Sequence, residues 1–415
     1  MEICGFGFSD KGNHRESNQD CFLADNELGL YVVCDGMGGR AGGQTASKLA
    51  VEAVRDFVQA KREEIVRSLD HSNDRIGAQN LVRTAVNHAC QTVFAEAEKN
   101  PELKGMGTTL TMLVVGSTTG VLAHVGDSRA YVIRSGVVHQ LSKDHTVVQE
   151  MIDKGILPLE TAAESPFSHI LSRAVGTQPL TQVDTLAIDI LQDDAFLLCS
   201  DGLTQVFDVG KELGEFIQDL PAENLPQSLV NTANERDTSD NSTALLVSTQ
   251  VSTEHAAIEA ERRSEVLLRI EALQGIFLFR DLSLEELSRV VNRAYVTTLP
   301  AGEALFREGE LDDSLYIVLE GELNIKRGKN KLATIRRGNH VGEMAMLMST
   351  PRSATVTAAK DCRLLNIERK DFEAIIQANP TTGVRLLTAM SRELSSRLDA
   401  AVSKLLEDES HSSYD

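Results

Sequence analysis

The sequence predicts an α+β protein with two domains. Its 415 residues exceed what one ordinary core holds. In residues 1–252, short strand-like runs are followed by two long helical stretches and then by more strands, an order typical of a layered domain with packed antiparallel sheets. From residue 276 onward, glycines recur between short apolar runs, which predicts a compact β-roll with flanking helices.

The charge of the chain is concentrated in its first part. Of a net charge of −20, −16 lies in residues 1–252, which disfavours nucleic acid as a partner. Bound divalent cations would offset part of this charge. An acidic solvated surface explains most of the charge but not the aspartates at strand ends. No apolar run is long enough for a membrane span, and Met1–Gly5 lacks the basic and apolar regions of a secretion signal. We expect a cytoplasmic protein without a membrane partner, with reduced cysteines and no zinc.

The elements of the first domain follow from hydrophobic periodicity. The pattern predicts three strands and two helices, at Met1–Ser9, Cys21–Ala24, Leu30–Cys34, Thr45–Arg62 and Ile76–Lys99. It then predicts a meander of four strands, at Thr108–Val115, Val121–Val125, Ala130–Arg134 and Val137–Leu141. The polar stretch between His145 and Arg173 is a candidate mobile flap.

Aspartates stand beside strand-like runs at four separate points of the first domain. They are Asp20, Asp35, Asp201 and Asp240, and glycines follow directly after two of them. Carboxylates and a backbone carbonyl are hard oxygen ligands, which suit Mg²⁺ or Mn²⁺. Two such ions can generate hydroxide from water and support in-line attack on phosphorus, so the pattern favours phosphate-ester hydrolysis. Ordinary acidic turn residues would produce the same spacing.

Motifs in the first 252 residues resemble the bacterial branch of the metal-dependent type 2C protein phosphatases. They are Arg15-x-x-Asn18-Gln19-Asp20, Asp35-Gly-Met-Gly-Gly39, Gly107-Thr-Thr109, Val125-Gly-Asp127-Ser-Arg129, Lys143-Asp144-His145, Leu171-Ser-Arg-Ala-Val-Gly176, Ser200-Asp-Gly-Leu-Thr204 and Ser239-Asp-Asn-Ser-Thr243. The resemblance implies a helix-flanked (αββα) β-sandwich with a dinuclear Mn²⁺ or Mg²⁺ centre. It also implies hydrolysis of phosphoserine and phosphothreonine in proteins.

The same resemblance implies roles for individual residues. Asp35 would bridge the two ions, Gly36 would offer its carbonyl, Asp20, Asp201 and Asp240 would complete the centre, and Asp127 with Asp201 would hold a third ion. Arg15 would bind the phosphoryl group through its planar fork, the alternative being a surface salt bridge.

Three positions bear on the acid chemistry and the first metal motif. Met37 stands where the eukaryotic branch has a histidine, so that side-chain acid is absent, and Gln19 replaces an acidic residue of other members. His145 could shuttle protons or be structural.

A linker joins the domains at residues 253–275. Glu254–Leu273 is charged, free of Pro and Gly and carries spaced apolar residues, so it is predicted to be a helix. It could be a spacer, transmit a rotation or pair with its copy in a homodimer.

The second domain is predicted at 276–406, followed by a tail at 407–415, with helices at Leu284–Asn292, Arg369–Gln377 and Thr382–Leu406. The motifs Leu315–Leu323, Gly342-Glu-x-Ala345 and Pro351-Arg-Ser-Ala-Thr355 are similar to cyclic nucleotide-binding domains of protein kinase regulatory subunits and catabolite activators. By that likeness Arg352 would bind the cyclic phosphate and Glu343 the ribose 2′-hydroxyl. The pocket would be framed by Gly342, Met344, Ala345, Ser353 and Ala354. Burying an unpaired charge is costly, so a ligand would be needed to satisfy Arg352 and Glu343 in an apolar pocket, the alternative being two exposed charges on a loop.

These expectations combine into a serine/threonine protein phosphatase regulated by cAMP or cGMP. Two alternatives stay open: a second domain that has lost its ligand and mediates association or docking, and a pseudo-enzyme that acts as a signalling scaffold.

Overall fold

The computed structural model describes residues 2–70, 74–158, 160–161, 165–167, 170–250, 256–348, 350–392, 395 and 399. The chain forms two compact units, Met1–Arg263 and Ser264–Asp415. The predicted tail, the end of the predicted helix Thr382–Leu406 and the first two residues of the predicted linker helix lie outside the described residues. No helix within the described ranges has both the length and the apolar composition to cross a bilayer.

The described strands of the first unit form two antiparallel sheets. One has the order β1-β11-β10-β7-β8, and the other has the order β2-β3-β5-β6-β9 with β4 paired to β3. The strands are β1 (Glu2–Asp10), β2 (Asp20–Asp25), β3 (Leu30–Met37), β4 (Gly107–Thr108), β5 (Leu110–Val115), β6 (Thr119–Val125), β7 (Arg129–Arg134), β8 (Val137–Gln140), β9 (Asp184–Asp189), β10 (Ala195–Cys199) and β11 (Ser242–Gln250).

The two sheets pack face to face. Strand β1 of one sheet carries glycines at positions 5 and 7, and aromatic rings of the other sheet lie against both of them. A Cβ at Gly5 would be 2.3 Å from the ring of Tyr31, and a Cβ at Gly7 would be 2.3 Å from the ring of Phe22. The two glycines of β1 therefore leave room for the rings of Tyr31 and Phe22 between the sheets.

Helices cover the outer face of each sheet, which completes the predicted αββα sandwich. Helices α1 (Gly39–Ala60), α2 (Arg62–Asp70) and α3 (Arg75–Lys99) share a core with β3, β5 and β6. Helices α5 (Asp201–Thr204), α6 (Val209–Asp219) and α7 (Leu225–Glu235) share another with β7, β10 and β11. Helices α2, α5, α6 and α7 were not predicted.

The predicted meander of four strands is wrong. Strands β5 and β6 pair in one sheet, whereas β7 and β8 pair in the other. The segment Gly126–Asp127–Ser128 therefore crosses between the sheets. In the sequence this segment looks like a hairpin turn. In the structure Gly126 has a φ of +111°, and a Cβ there would lie 2.6 Å from Thr109. Sequence spacing alone does not reveal which sheet a strand joins.

The predicted flap contains a short helix, α4 (Val147–Asp153). The predicted linker helix is α8 (Ala256–Gln274), and the boundary between the compact units falls inside it. The residues just before the helix, 251–255, are outside the described ranges.

The second unit is a β-roll with flanking helices, as predicted. Its antiparallel sheets have the orders β12-β19-β14-β17 and β13-β18-β15-β16, and both contribute to one core. The strands are β12 (Tyr295–Leu299), β13 (Ala304–Phe306), β14 (Leu315–Glu320), β15 (Glu322–Arg327), β16 (Asn330–Arg336), β17 (His340–Val341), β18 (Thr355–Ala358) and β19 (Cys362–Ile367). The helices are α9 (Leu284–Val291), α10 (Glu343–Met348) and α11 (Arg369–Ala378), followed by helical residues 380–392. The six glycines that recur between its short apolar runs all have a positive φ; they are Gly302, Gly309, Gly321, Gly328, Gly338 and Gly342.

Candidate functional site

Two of the predicted metal ligands face each other across neighbouring strands. Asp20, the first residue of β2, is directly opposite Asp35 in β3. The next register pair is hydrogen-bonded, because the Gly36 N–H donates to the Gln19 carbonyl at 3.2 Å. Since antiparallel pairs alternate, Asp20 and Asp35 form a non-hydrogen-bonded pair, in which the Cα atoms are about 4.5 Å apart and the side chains are closer. The strand register therefore brings these carboxylates together.

The two carboxylate oxygens of Asp20 have different surroundings. Oδ2 accepts hydrogen bonds from the hydroxyls of Thr243 at 2.6 Å and Ser200 at 2.8 Å. Oδ1 is buried and has no hydrogen-bond partner among the described residues. Burial raises the pKa of Asp20 to about 7, although the two hydroxyls act in the opposite direction. A buried anionic oxygen without a donor is costly, and a cation would satisfy it.

Asp201 and Asp240 lie beside the ends of strands of the facing sheet. Asp201 begins α5 two residues after the end of β10, and Asp240 lies two residues before β11. The pKa of Asp35 lies well above its ordinary value. Burial is the largest cause, and repulsion from four neighbouring carboxylates adds to it, those of Asp20, Asp201, Asp240 and Asp127. All five predicted carboxylates therefore lie in one cluster at one end of the sandwich.

His145 holds the turn that carries Asp127. The backbone N–H of Gly126 donates to His145 Nδ1 at 3.1 Å, and the backbone N–H of His145 donates to the Gly126 carbonyl at 2.7 Å. These contacts favour the structural role for His145 over a proton shuttle. Burial and, secondly, repulsion from Asp201 raise the pKa of Asp127 to about 7.

A close backbone contact fixes the position of Gly36 beside Asp35. A Cβ on Gly36 would lie only 2.0 Å from the carbonyl oxygen of Gly43 in α1, so no other residue fits without displacing the helix. The start of α1 is therefore packed directly against the end of β3, and the Gly36 backbone lines the same cavity as Asp35.

Arg15 lies beside the carboxylate cluster and is paired with one of its members. Its Nη2 donates to Asp240 Oδ2 at 2.6 Å, and its Nε donates to the Ser239 carbonyl at 3.3 Å. The side chain is half exposed and lines the cavity. The sequence did not predict this ion pair with a metal ligand. Phosphate binding by Arg15 stays a prediction.

Four of the five carboxylates line a cavity of about 1100 Å³ together with Arg15 and residues of the segment 170–178; they are those of Asp35, Asp127, Asp201 and Asp240. Among the described residues, no group of three or more His, Cys, Asp or Glu side chains could hold a metal ion as it stands. One oxygen of Asp20 is hydrogen-bonded to two hydroxyls, and one oxygen of Asp240 is hydrogen-bonded to Arg15. Their oxygen chemistry and the unsatisfied Asp20 oxygen nevertheless fit Mg²⁺ or Mn²⁺.

The second unit contains a smaller pocket of about 310 Å³, at the lower end of the usual range for ligand sites. Aliphatic and aromatic side chains of the β-roll form much of its wall. Five predicted nucleotide-binding residues also line it, Gly342, Glu343, Met344, Ser353 and Ala354. Ala345, the sixth, lies within α10.

Arg352 does not line this pocket, and its guanidinium has partners within the chain, although its buried Nε has no hydrogen-bond partner among the described residues. Its side chain is buried, and Nη2 donates to Asp312 at 2.5 Å and to the Ser314 carbonyl at 2.7 Å. Its Nη1 donates to the Gly342 carbonyl, and its guanidinium carbon lies 4.0 Å from the centre of the Phe306 ring. Burial alone would raise the pKa of Asp312, but the hydrogen bond from Arg352 lowers it. The protein itself supplies the countercharge.

Comparisons with known proteins agree with this arrangement. Residues 13–236, more than half of the chain, match the family model described as Protein phosphatase 2C. The chain belongs to the protein phosphatase 2C family. Residues 296–379 match the model described as Cyclic nucleotide-binding domain. The phosphatase match lies in the first compact unit and the nucleotide-binding match in the second.

Relatives of the phosphatase domain occur in several bacteria. The chain is 32% identical to the serine/threonine phosphatase stp of Listeria monocytogenes over 194 residues, which are 47% of this chain and 74% of that protein. It is 30% identical to the protein phosphatase PhpP of Streptococcus pneumoniae over 252 residues, which cover 58% of this chain and 95% of that protein.

Solved structures of the family share the fold of the phosphatase domain. The Mycobacterium tuberculosis phosphatase PstP/Ppp is 28% identical with a TM-score of 0.54, and the similarity covers 60% of this chain and all of that one. The catalytic domain of PstP in complex with two manganese ions is 28% identical with a TM-score of 0.50, covering 60% and 99%. These similarities confirm the predicted fold and family.

Sequence reasoning did not single out the residues that position the carboxylates. The hydroxyls of Ser200 and Thr243 donate hydrogen bonds to one oxygen of Asp20. Sequence reasoning also gave no role to Arg173, which lines the phosphatase cavity. Ser200 and Thr243 were visible only as neighbours of Asp201 and Asp240. Their contact with Asp20, about 200 residues away in sequence, depends on the pairing of the two sheets.

Proposed function

We propose that the first domain hydrolyses phosphoserine and phosphothreonine in proteins with a metal-activated water. The observation that carries the proposal is the convergence of five aspartates at one end of the sandwich, with one buried Asp20 oxygen unsatisfied. Carboxylates this close repel one another when they are all charged, which cations would relieve. Relatives named serine/threonine phosphatases, and one solved with two manganese ions, support the same activity.

The residues that would hold the ions are those of the cluster. Asp35 would bridge two Mn²⁺ or Mg²⁺ ions, the Gly36 carbonyl, Asp20, Asp201 and Asp240 would complete their ligands, and Asp127 with Asp201 would hold a third. When bound, the metal centre would supply a hydroxide nucleophile and neutralise negative charge on the phosphoryl oxygens.

Other side chains prepare the site for the substrate. Ser200 and Thr243 hold one oxygen of Asp20 by hydrogen bonds and leave its other oxygen for a cation. Arg15 would bind the phosphoryl oxygens through its fork, sharing its donors with Asp240. The cavity of about 1100 Å³ accommodates residues on either side of the phosphorylated one.

Turnover of para-nitrophenyl phosphate and of phosphothreonine peptides, with and without Mn²⁺, tests this proposal. Asp35→Ala and Asp201→Ala should each lower kcat by about a hundredfold or more, since each removes a proposed ligand and leaves the others repelling one another. Asp56→Ala, on the exposed face of α1, is the control. Metal-independent turnover that survives in both variants would contradict the proposal and favour a scaffold.

For the second domain, we propose that cAMP or cGMP binds in the pocket of about 310 Å³ and regulates the phosphatase through α8. Arg262 and Arg263 of this helix donate to the Ile190 and Gln192 carbonyls within the first unit. Glu265, in the second unit, pairs with Arg363 at 2.7 Å. A ligand changes activity only by its differential affinity for two states, so we expect a coupling of about 1–3 kcal/mol.

A specific observation favours a second candidate for this domain. Because Asp312 already pairs with Arg352 in the absence of a ligand, the domain could instead serve as a docking or homodimerisation module.

Calorimetry with cAMP and with cGMP separates the two candidates. Nucleotide binding that disappears in Glu343→Ala, together with any nucleotide effect on turnover, supports regulation. No binding of either nucleotide at millimolar concentration, with dimers seen by sedimentation, supports the module.

A further inference from the structure

The end of the predicted flap and the residues after it place an arginine in the phosphatase cavity. Residues Ile170, Leu171, Ser172, Arg173, Thr177 and Gln178 all line it. Among the described lining residues, Arg15 and Arg173 are the lysines or arginines. Five lining residues are acidic, namely Glu16, Asp35, Asp127, Asp201 and Asp240. Arg15 is paired with Asp240 next to the proposed ions. An anionic group of the substrate that lies away from Arg15 and the proposed ions would therefore have Arg173 as its basic partner in the cavity.

The backbone on both sides of Arg173 is anchored. The Ser172 N–H donates to the His145 carbonyl at 2.8 Å, and the Val175 N–H donates to the Thr108 carbonyl at 2.8 Å. Thr108 in turn donates its hydroxyl to the Asp35 carbonyl at 2.8 Å. The position of Arg173 is thus tied to the strand that carries the metal cluster, which prepares the side chain for binding at little entropic cost.

One edge of the Arg173 guanidinium is already bound. Nη1 donates to Asp184 Oδ1 at 2.8 Å and lies 3.1 Å from His145 Nε2. Burial alone would raise the pKa of Asp184, but its hydrogen bond with His145 and the charge of Arg173 lower it. A guanidinium has five N–H donors, and among the described residues none accepts from Nε or Nη2 of Arg173. The side chain is 27% exposed.

We infer that Arg173 is a specificity-determining residue that binds an anionic group of the phosphoprotein, a carboxylate or a second phosphate, close to the phosphoresidue being hydrolysed. The inference rests on the proposed phosphatase function and deepens it by naming a substrate class. Its planar fork suits either group, because both present paired oxygens. Asp184 and His145 act as positioning residues that orient this fork.

Three phosphothreonine peptides test the inference on the full chain with Mn²⁺. They are identical except for one neighbouring position, which carries Ala, Glu or a non-hydrolysable phosphonate analogue of phosphoserine. The readout is the ratio of kcat/KM for each anionic peptide to that for the Ala peptide. A general loss of activity lowers all three values and leaves the ratio unchanged.

We expect a ratio of about tenfold in the wild type, which corresponds to about 1.4 kcal/mol. It should fall to about one in Arg173→Gln and stay intermediate in Arg173→Lys, which keeps the charge but loses the fork. Arg236→Gln is the matched control, because Arg236 also pairs with an acidic residue, Glu212, but does not line the cavity. The Glu and phosphonate peptides tell which anion is preferred.

Several results would overturn the inference. A wild-type ratio of one, or a ratio that Arg173→Gln retains, removes Arg173 from substrate recognition. Should that variant not fold, the wild-type ratio must decrease between about 0.05 and 0.5 M salt, since ions screen an exposed charge pair, and a salt-independent ratio contradicts the inference. Absence of Mn²⁺-dependent turnover with every peptide instead refutes the phosphatase function itself.

Discussion

Replacing Asp312 by Asn tests the ion pair that neutralises Arg352 in the second domain. The Arg352 side chain is 2% exposed, and its Nη2 donates to Asp312 Oδ2 at 2.5 Å. Asparagine keeps the size of the side chain but removes its charge. The buried guanidinium is then left without a countercharge, which is the costly way to break such a pair.

The expected loss follows from what remains around the guanidinium. Removing one partner of a buried pair costs about 3–5 kcal/mol. Asp312 is 26% exposed, and the Ser314 carbonyl and the Phe306 ring stay in contact with Arg352. We therefore expect a loss near the lower end, about 3 kcal/mol in the free energy of unfolding of this domain.

Urea unfolding of the full chain, followed by circular dichroism, measures the loss. Asp313→Asn is the matched control, because this neighbour is exposed. Asp312→Asn with Arg352→Met should be more stable than Asp312→Asn alone, since the double variant leaves no buried charge. If cAMP or cGMP brings its phosphate to Arg352, the nucleotide should stabilise Asp312→Asn more than it stabilises the wild type.

Two results would refute this reasoning. One is a loss below about 0.5 kcal/mol, equal to that of Asp313→Asn, which would mean that Asp312 contributes no more than a surface charge. The other is a double variant less stable than Asp312→Asn, which would mean that packing by Arg352 outweighs its charge.

Three further predictions concern the phosphatase domain. Arg15→Ala should raise KM for a phosphopeptide about tenfold or more, because a charge-assisted hydrogen bond to phosphate is worth about 1.5–3 kcal/mol, and the affinity for Mn²⁺ should be retained. A fall in Mn²⁺ affinity at constant KM would instead make Arg15 a structural partner of Asp240. Gly36→Ala should cost about 3 kcal/mol in thermal unfolding through its clash with α1, whereas Gly214→Ala, which meets open space, should be neutral or stabilising. Burial and, secondly, His145 lower the pKa of His124 to about 3, so the stability contributed by the neutral imidazole is complete above the unfolded pKa of about 6.5 and is lost as the pH falls. Between pH 7 and pH 5 the free energy of unfolding of the wild type should therefore fall by about 2 kcal/mol more than that of His124→Gln. Equal losses would contradict the low pKa.

Local patterns in the sequence were enough to predict most of the first domain. The helix predicted at Ile76–Lys99 is α3, and the strand predicted at Leu30–Cys34 is β3, because their apolar spacing reflects burial on one or both faces. Five aspartates were assigned to one cluster, four from their places beside strands and all five from family motifs. Their mutual repulsion in the structure agrees with that assignment.

Contacts between distant segments were not predictable in the same way. The pairing of Arg352 with Asp312 joins positions 40 residues apart, and nothing in the spacing of either residue indicates it. The same holds for Arg15 and Asp240, and for the crossing at Gly126, where sheet membership decides the connection. Such contacts depend on strand register and on the packing of the sheets, which are properties of the whole domain.

The contact between Gly5 and Tyr31 constrains how this protein can diverge. A methyl group at position 5 would overlap the ring of Tyr31, whose hydroxyl is held by the Asn26 side chain. A larger residue on β1 is therefore compatible with the fold only if position 31 loses its ring in the same lineage. Positions 5 and 31 are expected to covary among descendants of this chain, although they are 26 positions apart in the sequence.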